Sequence, residues 1–466
     1  MSEETRHKPD LNRLLAKAVQ HHADGRFDEA EAAYLAILRN FPDQVAAISN
    51  LATIVAQKGQ VKKALSLFDR ALRIKPDFLD ALKNKAIALT AKDRFEETMD
   101  VYDRIADIDP SNNSVLQNKA FVLTFLGRIE EAKSCYKALA AFREEEHEAE
   151  YSWAMLALLT GDFKGGWKAH ESRLKKEKPA KRAKILAETE KIPKWEGEPL
   201  TGKTILIDAE QGLGDSIQFI RYAKFLQEKG ACTVVIPQTV LFPLLSHVEG
   251  IDYLVPSDGT LPEVDFYTPF MSIPNALADT EDSIPADVPY IHVDPDLEEK
   301  WRNKLAGIKG YKIGIFWHGS PDYILNNMRS VPLEAFRPLA EIKGVTLINL
   351  QKGPGCDEIA ELDPPFELID FGDELDEKSG AFMDSAAIIK TLDLVVSSDS
   401  AITHLAGALA APVWILLSDP PDWRWMLERE DSPWYPTARL FRQKIRGDWA
   451  EVMERVVGEV KKRVRK

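Results

Sequence analysis

The spacing of apolar and polar residues changes character twice along the chain. Up to residue 175 the apolar positions follow the period of about 3.6 expected of amphipathic helices, and the whole pattern recurs every 34 residues. Gly25, Gly59, Gly127 and Gly161 fall on that spacing, with Asp93 in the intervening step. Ala30, Ala64 and Ala132 keep the same register, as do Pro42, Pro76 and Pro110, and the large side chains Tyr34, Phe68, Tyr102 and Tyr136. The glycines suit breaks between helices, and the alanines let two helices approach closely. The register predicts about five helical hairpins: Leu11–Pro42, Asp43–Pro76, Asp77–Pro110, Ser111–Glu146 and a terminal one ending near Lys175. Residues 176–203 then lose apolar periodicity and carry many Lys and Arg with scattered prolines, which predicts a solvated linker. Trp195 is expected to anchor that linker on the next domain.

From Thr204 short β-branched runs alternate with helical patterns, the signature of βαβ units and a mostly parallel sheet. A first lobe over 204–300 is expected to hold strands at Thr204–Ile207, Thr233–Ile236, Ile251–Val255 and Val264–Tyr267. A second, over 301–446, is expected to hold them at Lys312–Trp317, Val345–Asn349, Phe366–Ile369, Leu392–Val396 and Val413–Leu417. A helix over 447–466 closes the chain. The predicted architecture is an α-helical solenoid followed by two Rossmann-like lobes, an arrangement that suggests the glycosyltransferase B (GT-B) class.

The repeat pattern resembles that of tetratricopeptide (TPR) repeats over 1–175. Asn50, Asn84 and Asn118 keep the same 34-residue step on the first helix of three successive units. A side-chain amide can donate to and accept from an extended peptide backbone of any sequence. The three resemble the asparagine ladder of O-GlcNAc transferases, which would make them acceptor peptide-binding residues. Asn is also common at this place in TPR repeats generally, and both explanations stand.

Composition narrows the partners. The 466 residues are 45% apolar and 29% charged, with a formal net charge of −14. That balance suits several globular domains and disfavours non-specific nucleic-acid or anionic-membrane binding. A phosphate-bearing ligand would need a local positive spot. Cys135, Cys232 and Cys356 lie far apart without metal-ligand spacing, and the first residues lack an apolar signal core. No apolar run approaches the roughly 20 residues of a membrane span. A cytoplasmic protein without transmembrane segment, metal or resident cofactor is expected.

The candidate chemistry sits where strands end. After the first strand, Glu210-Gln211-Gly212-Leu213-Gly214-Asp215 opens a helix. Two glycines there permit close approach of a ligand, and Asp215 is placed either as a cap or as a functional carboxylate. In the second lobe Arg329, Gln351 and Lys352 follow strands, and Ser397-Ser398-Asp399-Ser400-Ala401-Ile402-Thr403-His404 joins a strand to a helix. Guanidinium and ammonium groups beside small hydroxyls at a helix start suit a diphosphate. Trp423-Arg424-Trp425 and Trp434-Tyr435 are expected to form an aromatic loop that stacks or covers a cleft. Asp294-Pro295-Asp296 has the form of a metal-binding DxD, but its place before a helix suggests a cap. Each feature also has a purely structural explanation, as surface charge, buried histidine or core tryptophan.

Gly214-Asp215 and Asp399–Leu405 resemble the two hallmarks of bacterial ADP-heptose:lipopolysaccharide heptosyltransferases (glycosyltransferase family 9). The whole chain, with Pro421-Asp422-Trp423-Arg424-Trp425, more closely resembles bacterial TPR-bearing glycosyltransferases, some of which modify flagellin. The resemblance implies Asp215 as general base of an inverting, metal-independent transfer. It implies Gly214, Arg329, Gln351, Lys352, Asp399, Ser400 and His404 as groups binding a nucleotide-sugar donor. The acceptor would be a polypeptide held by the repeat arm. Heptosyltransferases have a lysine-bearing loop near the position of Arg329 and lack a TPR arm, so neither donor sugar nor acceptor carries over. Transfer to lipopolysaccharide or a surface polysaccharide, or a scaffold with an inactive transferase domain, stays open.

Overall fold

The computed structural model describes residues 10–110, 112–142, 147–175, 191–321 and 326–465, so most of the expected linker lies outside the described residues. The chain forms two compact units, Met1–Ala149 and Glu150–Lys466.

The first unit is a run of antiparallel helices: α1 (Leu11–Ala23), α2 (Phe27–Asn40), α3 (Val45–Gln57), α4 (Val61–Ile74), α5 (Leu79–Thr90), α6 (Phe95–Ile108), α7 (Asn113–Phe125) and α8 (Ile129–Phe142). The repeated glycines mark the breaks, with Gly25, Gly59 and Gly127 at φ 72°, 79° and 68°. Asp93, the odd member of that series, takes the same left-handed conformation at φ 54°, which Asp tolerates better than most residues. Ala30, Ala64 and Ala132 are fully buried together with Tyr34 and Phe68. Contacts between successive units recur. Arg70 donates to the carbonyl of Pro42 at 2.6 Å and Arg104 to that of Pro76 at 2.8 Å. Lys85 pairs with Asp69 at 2.7 Å and Lys119 with Asp103 at 2.6 Å. Both motifs keep the 34-residue step: the second and third units repeat the Arg–Pro contact to their predecessors, and the third and fourth repeat the Lys–Asp pair.

The second unit starts within α9 (His147–Leu159), earlier than the expected boundary at residue 175, and includes α10 (Phe163–His170). The reason lies in α10. Its Trp167 meets Phe219, Trp423 and Trp434 edge-on, with centroids 6.2, 5.2 and 6.5 Å away. A large aromatic side chain buried to 1% on the α/β elements outweighs repeat periodicity.

Two parallel sheets complete this unit. The first runs β3 (Tyr253–Leu254), β2 (Cys232–Ile236), β1 (Thr204–Asp208) and β4 (Phe266–Pro269) in spatial order. The second runs β6 (Val345–Asn349), β5 (Tyr311–Phe316), β7 (Leu394–Ser398), β8 (Val413–Leu417) and β9 (Ala438–Arg442). Central strands such as β7 and β8 are buried throughout, as a parallel sheet covered on both faces requires. Expected strand Phe366–Ile369 shrinks to one bridge, Ile348 with Ile369, because Pro364 and Pro365 precede it and Pro cannot extend a ladder. The edge strand β9 went unpredicted, since Arg439 and Arg442 break its apolar run. Trp195 is 2% exposed and its backbone N–H donates to Tyr267, anchoring the end of the linker as expected. Helices relevant to the site are α11 (Leu213–Phe219), α12 (Tyr222–Glu228), α13 (Pro295–Leu305), α14 (Met383–Ile389), α15 (Ala401–Ala408) and α16 (Trp449–Val464). Asp294 caps α13 by accepting from the N–H groups of Asp296 and Leu297 at 2.9 and 3.1 Å.

Candidate functional site

The glycine turn after β1 and the serine turn after β7 face each other. A Cβ on Gly214 would stand 2.9 Å from Cδ2 of His404 and 3.5 Å from Cα of Ala401. Glycine at 214 therefore lets α11 lie against α15. Gly407, further along α15, makes room instead for Tyr435, whose ring a Cβ would enter at 2.3 Å. The carboxyl ends of the two sheets thus meet through the helices that follow β1 and β7.

Asp215 sits in the first turn of α11 and accepts from the Gly212 N–H at 2.7 Å. Its other oxygen accepts from Arg424, so the residue is a cap and an ionic partner at once. Gln238 braces the turn by donating to the Gln211 carbonyl at 2.9 Å while accepting from Ser216 at 2.7 Å. Burial pushes the Asp215 carboxyl above its usual range, opposed by Arg424 and the Gly212 N–H.

Arg424 is the hub that the sequence pattern did not single out. It is 7% exposed and donates to Gln218 Oε1 at 2.6 Å, to Asp422 at 2.9 Å and to Asp215. Its guanidinium lies 4.3 Å from the Trp423 ring centroid. The only sequence signal was a charged residue between two tryptophans. The aromatic segment itself is core: Trp423, Trp425, Trp434 and Tyr435 are all buried, so it does not form the expected cover over a cleft.

Asp399, at the end of β7, is 8% exposed. Burial and the nearby Asp422 carboxylate push it up to about 6, with Arg329 and Arg424 opposing. His404 is buried, its Nδ1 2.9 Å from the Tyr435 hydroxyl and its ring stacked on Trp425 at 5.6 Å. Burial, together with Arg424, Arg221 and Arg329, pushes His404 well below the usual imidazole range and keeps it neutral. Ser400 caps α15 with extended backbone, its hydroxyl 3.1 Å from that of Ser397. Arg329 ends the helical turn Asn326–Arg329 and packs against Gly319, where a Cβ would come within 2.8 Å of its Nη2. Arg221 forms a second buried cation nearby, donating to the Pro285 and Trp434 carbonyls and to Tyr290 at 2.8, 2.7 and 3.0 Å.

The structure thus brings Gly214, Asp215, Arg329, Asp399, Ser400 and His404 to one place and adds Arg424 and Gln218. It turns Gln351 and Lys352 toward other partners. Gln351 accepts from the N–H groups of Trp317 and His318 at 3.1 and 2.9 Å and donates to the carbonyls of His318 and Pro354 at 3.0 and 2.7 Å. Its amide has no hydrogen-bonding capacity left for a ligand. Lys352 is bound to the Leu375 carbonyl at 2.5 Å and Glu377 at 2.7 Å. In the first unit, Asn50, Asn84 and Asn118 lie on α3, α5 and α7, the first helices of their hairpins. Among the described residues no group of three or more His, Cys, Asp or Glu is placed to hold a metal. No described helix is long and apolar enough to cross a membrane.

Comparison with known proteins agrees with the repeat register. Residues 15–78 match the family model described as tetratricopeptide repeat. The N-terminal array is a tetratricopeptide-repeat array. Residues 55–184 also match a model described as the Psidin N-terminal TPR repeats region. Among curated proteins the chain is 26% identical over 334 residues to Protein FlbA of Caulobacter vibrioides, covering 66% of this chain and 54% of that one. The chain therefore spans about half the length of the curated relative it matches. Similar solved structures include MamA from Desulfovibrio magneticus, at 13% identity over 36% of this chain and 93% of that one, TM-score 0.32. A tetratricopeptide repeat protein from Parabacteroides merdae is 20% identical, covering 39% and 78%, TM-score 0.32.

Proposed function

We propose that the second unit is an inverting, metal-independent glycosyltransferase of the GT-B class and that the TPR array recruits a polypeptide acceptor. The observation that carries this is the convergence of Asp215, Arg424, Asp399, His404 and Arg329 where the carboxyl ends of two parallel sheets meet, the place where open α/β sheets bind ligands. In this reading Asp215 takes the proton of the acceptor hydroxyl as its oxygen attacks the anomeric carbon of a nucleotide-sugar. Burial makes it a better base than an exposed carboxylate. Arg329 supplies positive charge for the departing diphosphate, and Ser400 with the first N–H groups of α15 completes the anion cradle. Asn50, Asn84 and Asn118 hold the acceptor backbone by their amides.

A second reading is favoured by one observation: both oxygens of Asp215 are already engaged, by Gly212 and Arg424. A scaffold that keeps this cluster purely as an ionic core would show the same contacts. One experiment separates them. The folded full chain is screened for stabilisation by ADP-, UDP-, GDP- and CMP-sugars, and transfer to protein acceptors is followed by mass spectrometry. Asp215→Asn should slow transfer by about 10²–10⁴-fold while donor stabilisation persists. Transfer at the original rate by the folded Asn variant removes Asp215 as base; no donor binding and no transfer favour the scaffold.

A further inference from the structure

We infer that Arg173 is a positioning residue for the loop that carries Asp215, acting through Glu210; the inference rests on the reading of that loop as catalytic. Arg173 stands in the 3-10 turn Glu171–Lys175 that follows α10, in the segment the repeat pattern assigns to the solenoid. Its side chain is 5% exposed and that of Glu210 is 14% exposed. Nε and Nη2 donate to the two Glu210 oxygens at 2.8 and 2.7 Å, a bidentate pair across 37 residues of sequence. Nη2 also donates to Ser272 at 2.8 Å, and Nη1 to the His170 carbonyl and Glu171, both at 3.0 Å. Every arm of the guanidinium is used.

Glu210 is in turn held from the other side. The Met271 N–H donates to it at 3.1 Å, and Ser272 donates to Glu171 at 3.1 Å, where Lys194 also binds. Two segments distant in sequence, at Arg173 and at Met271, therefore converge on one carboxylate in the loop. Glu210 lies two residues before Gly212, whose N–H fixes Asp215. With the loop pinned at Glu210 by Arg173 and at Gln211 by Gln238, the Gly212 N–H has one direction in which to point.

A buried ion pair is a poor device for stability alone, because desolvating both charges offsets most of their attraction. Its geometric value is different. A planar guanidinium engaging both oxygens of a carboxylate defines position and orientation together, which a lysine point charge cannot. The two glycines after Glu210 would otherwise leave this loop with wide backbone freedom. The terminal helical hairpin is therefore part of the site, and its role is to order the base-bearing turn.

The test uses the full chain carrying Arg173→Met, Arg173→Lys or Glu210→Gln, with hydrogen–deuterium exchange of the Ala209–Ser216 amides as the primary measurement. Arg173→Met and Glu210→Gln should each speed exchange there by about tenfold, with β5 and β8 as protected as before. Arg173→Lys should fall between, and the double variant Arg173→Met/Glu210→Gln should add nothing to either single one. Transfer should then lose kcat with donor KM unchanged. Unchanged exchange at Ala209–Ser216 overturns the inference whatever transfer does. If Arg173→Met loses protection throughout the unit, the volume-conserving Glu210→Gln decides by the same criterion. Active Asp215→Asn protein would sink the catalytic reading instead, leaving the exchange result intact, so the two failures are told apart.

Discussion

Replacing Arg424 by Met isolates the ionic logic of the cluster. Met matches the aliphatic stem and keeps contact with Trp423, but it removes donors to Asp215, Asp422 and Gln218. It also removes a positive charge that opposes the burial of Asp399. Breaking a buried pair by deleting one partner costs about 3–5 kcal/mol. At about 2–4 °C per kcal/mol for a domain of this size, the melting transition should fall by roughly 6–20 °C near pH 7.5. The sign of the pH dependence follows from the carboxyls. Asp215 and Asp399 already titrate above their ordinary value of 3.8, with Arg424 among the groups holding them down. Without it both rise further. A carboxyl raised in the folded state favours folding below its unfolded value and withdraws that contribution as pH climbs through the raised one. The deficit of Arg424→Met should therefore be small near pH 5 and full near pH 8. Differential scanning calorimetry of both proteins at the two pH values measures it. An equal deficit at both, or a loss below about 1 kcal/mol, would refute an ionic role for Arg424.

Two further substitutions probe the same contact. Gly214→Ala places a methyl 2.9 Å from the His404 ring and should cost about 1–3 kcal/mol by overpacking, read from urea denaturation; a variant of original stability would show that α11 and α15 yield freely. Asp399→Asn removes a carboxyl raised from 3.8 to about 6. The original protein loses stability as pH rises through that interval and the Asn variant does not, so the variant should gain by up to about 3 kcal/mol relative to it between pH 4 and 8. A difference that does not change with pH would contradict the raised value.

The solenoid was legible because its information is repeated. Gly25, Gly59 and Gly127 each face the same backbone requirement, and register alone places Asp93 among them, in agreement with its φ of 54°. The strand Val413–Leu417 was legible to the residue, since a strand buried on both faces is an uninterrupted apolar run. The edge strand Ala438–Arg442 is interrupted by Arg439 and Arg442 and carried no such run. Within the site, residues next to a strand end were foreseeable, because topology puts strand ends together. Gln351 and Lys352 meet that criterion too, yet their side chains are taken by other partners, Gln351 by the His318 and Pro354 carbonyls and Lys352 by Leu375 and Glu377. Proximity to a strand end does not specify rotamer.

By itself, then, the sequence determined the repeat register, the succession of most strands along each lobe and the strand-to-helix junctions at which Asp215, Asp399 and His404 stand. Each of those rests on local conformational preference and on burial patterns of short period. Tertiary structure alone decided that Arg424 would meet Asp215 across 209 residues and that Arg173 would clamp Glu210 across 37. It also decided that the last helical hairpin would join the α/β unit through Trp167. A buried charge takes whichever partner packing places within hydrogen-bond reach, and that choice leaves no periodic trace in the chain.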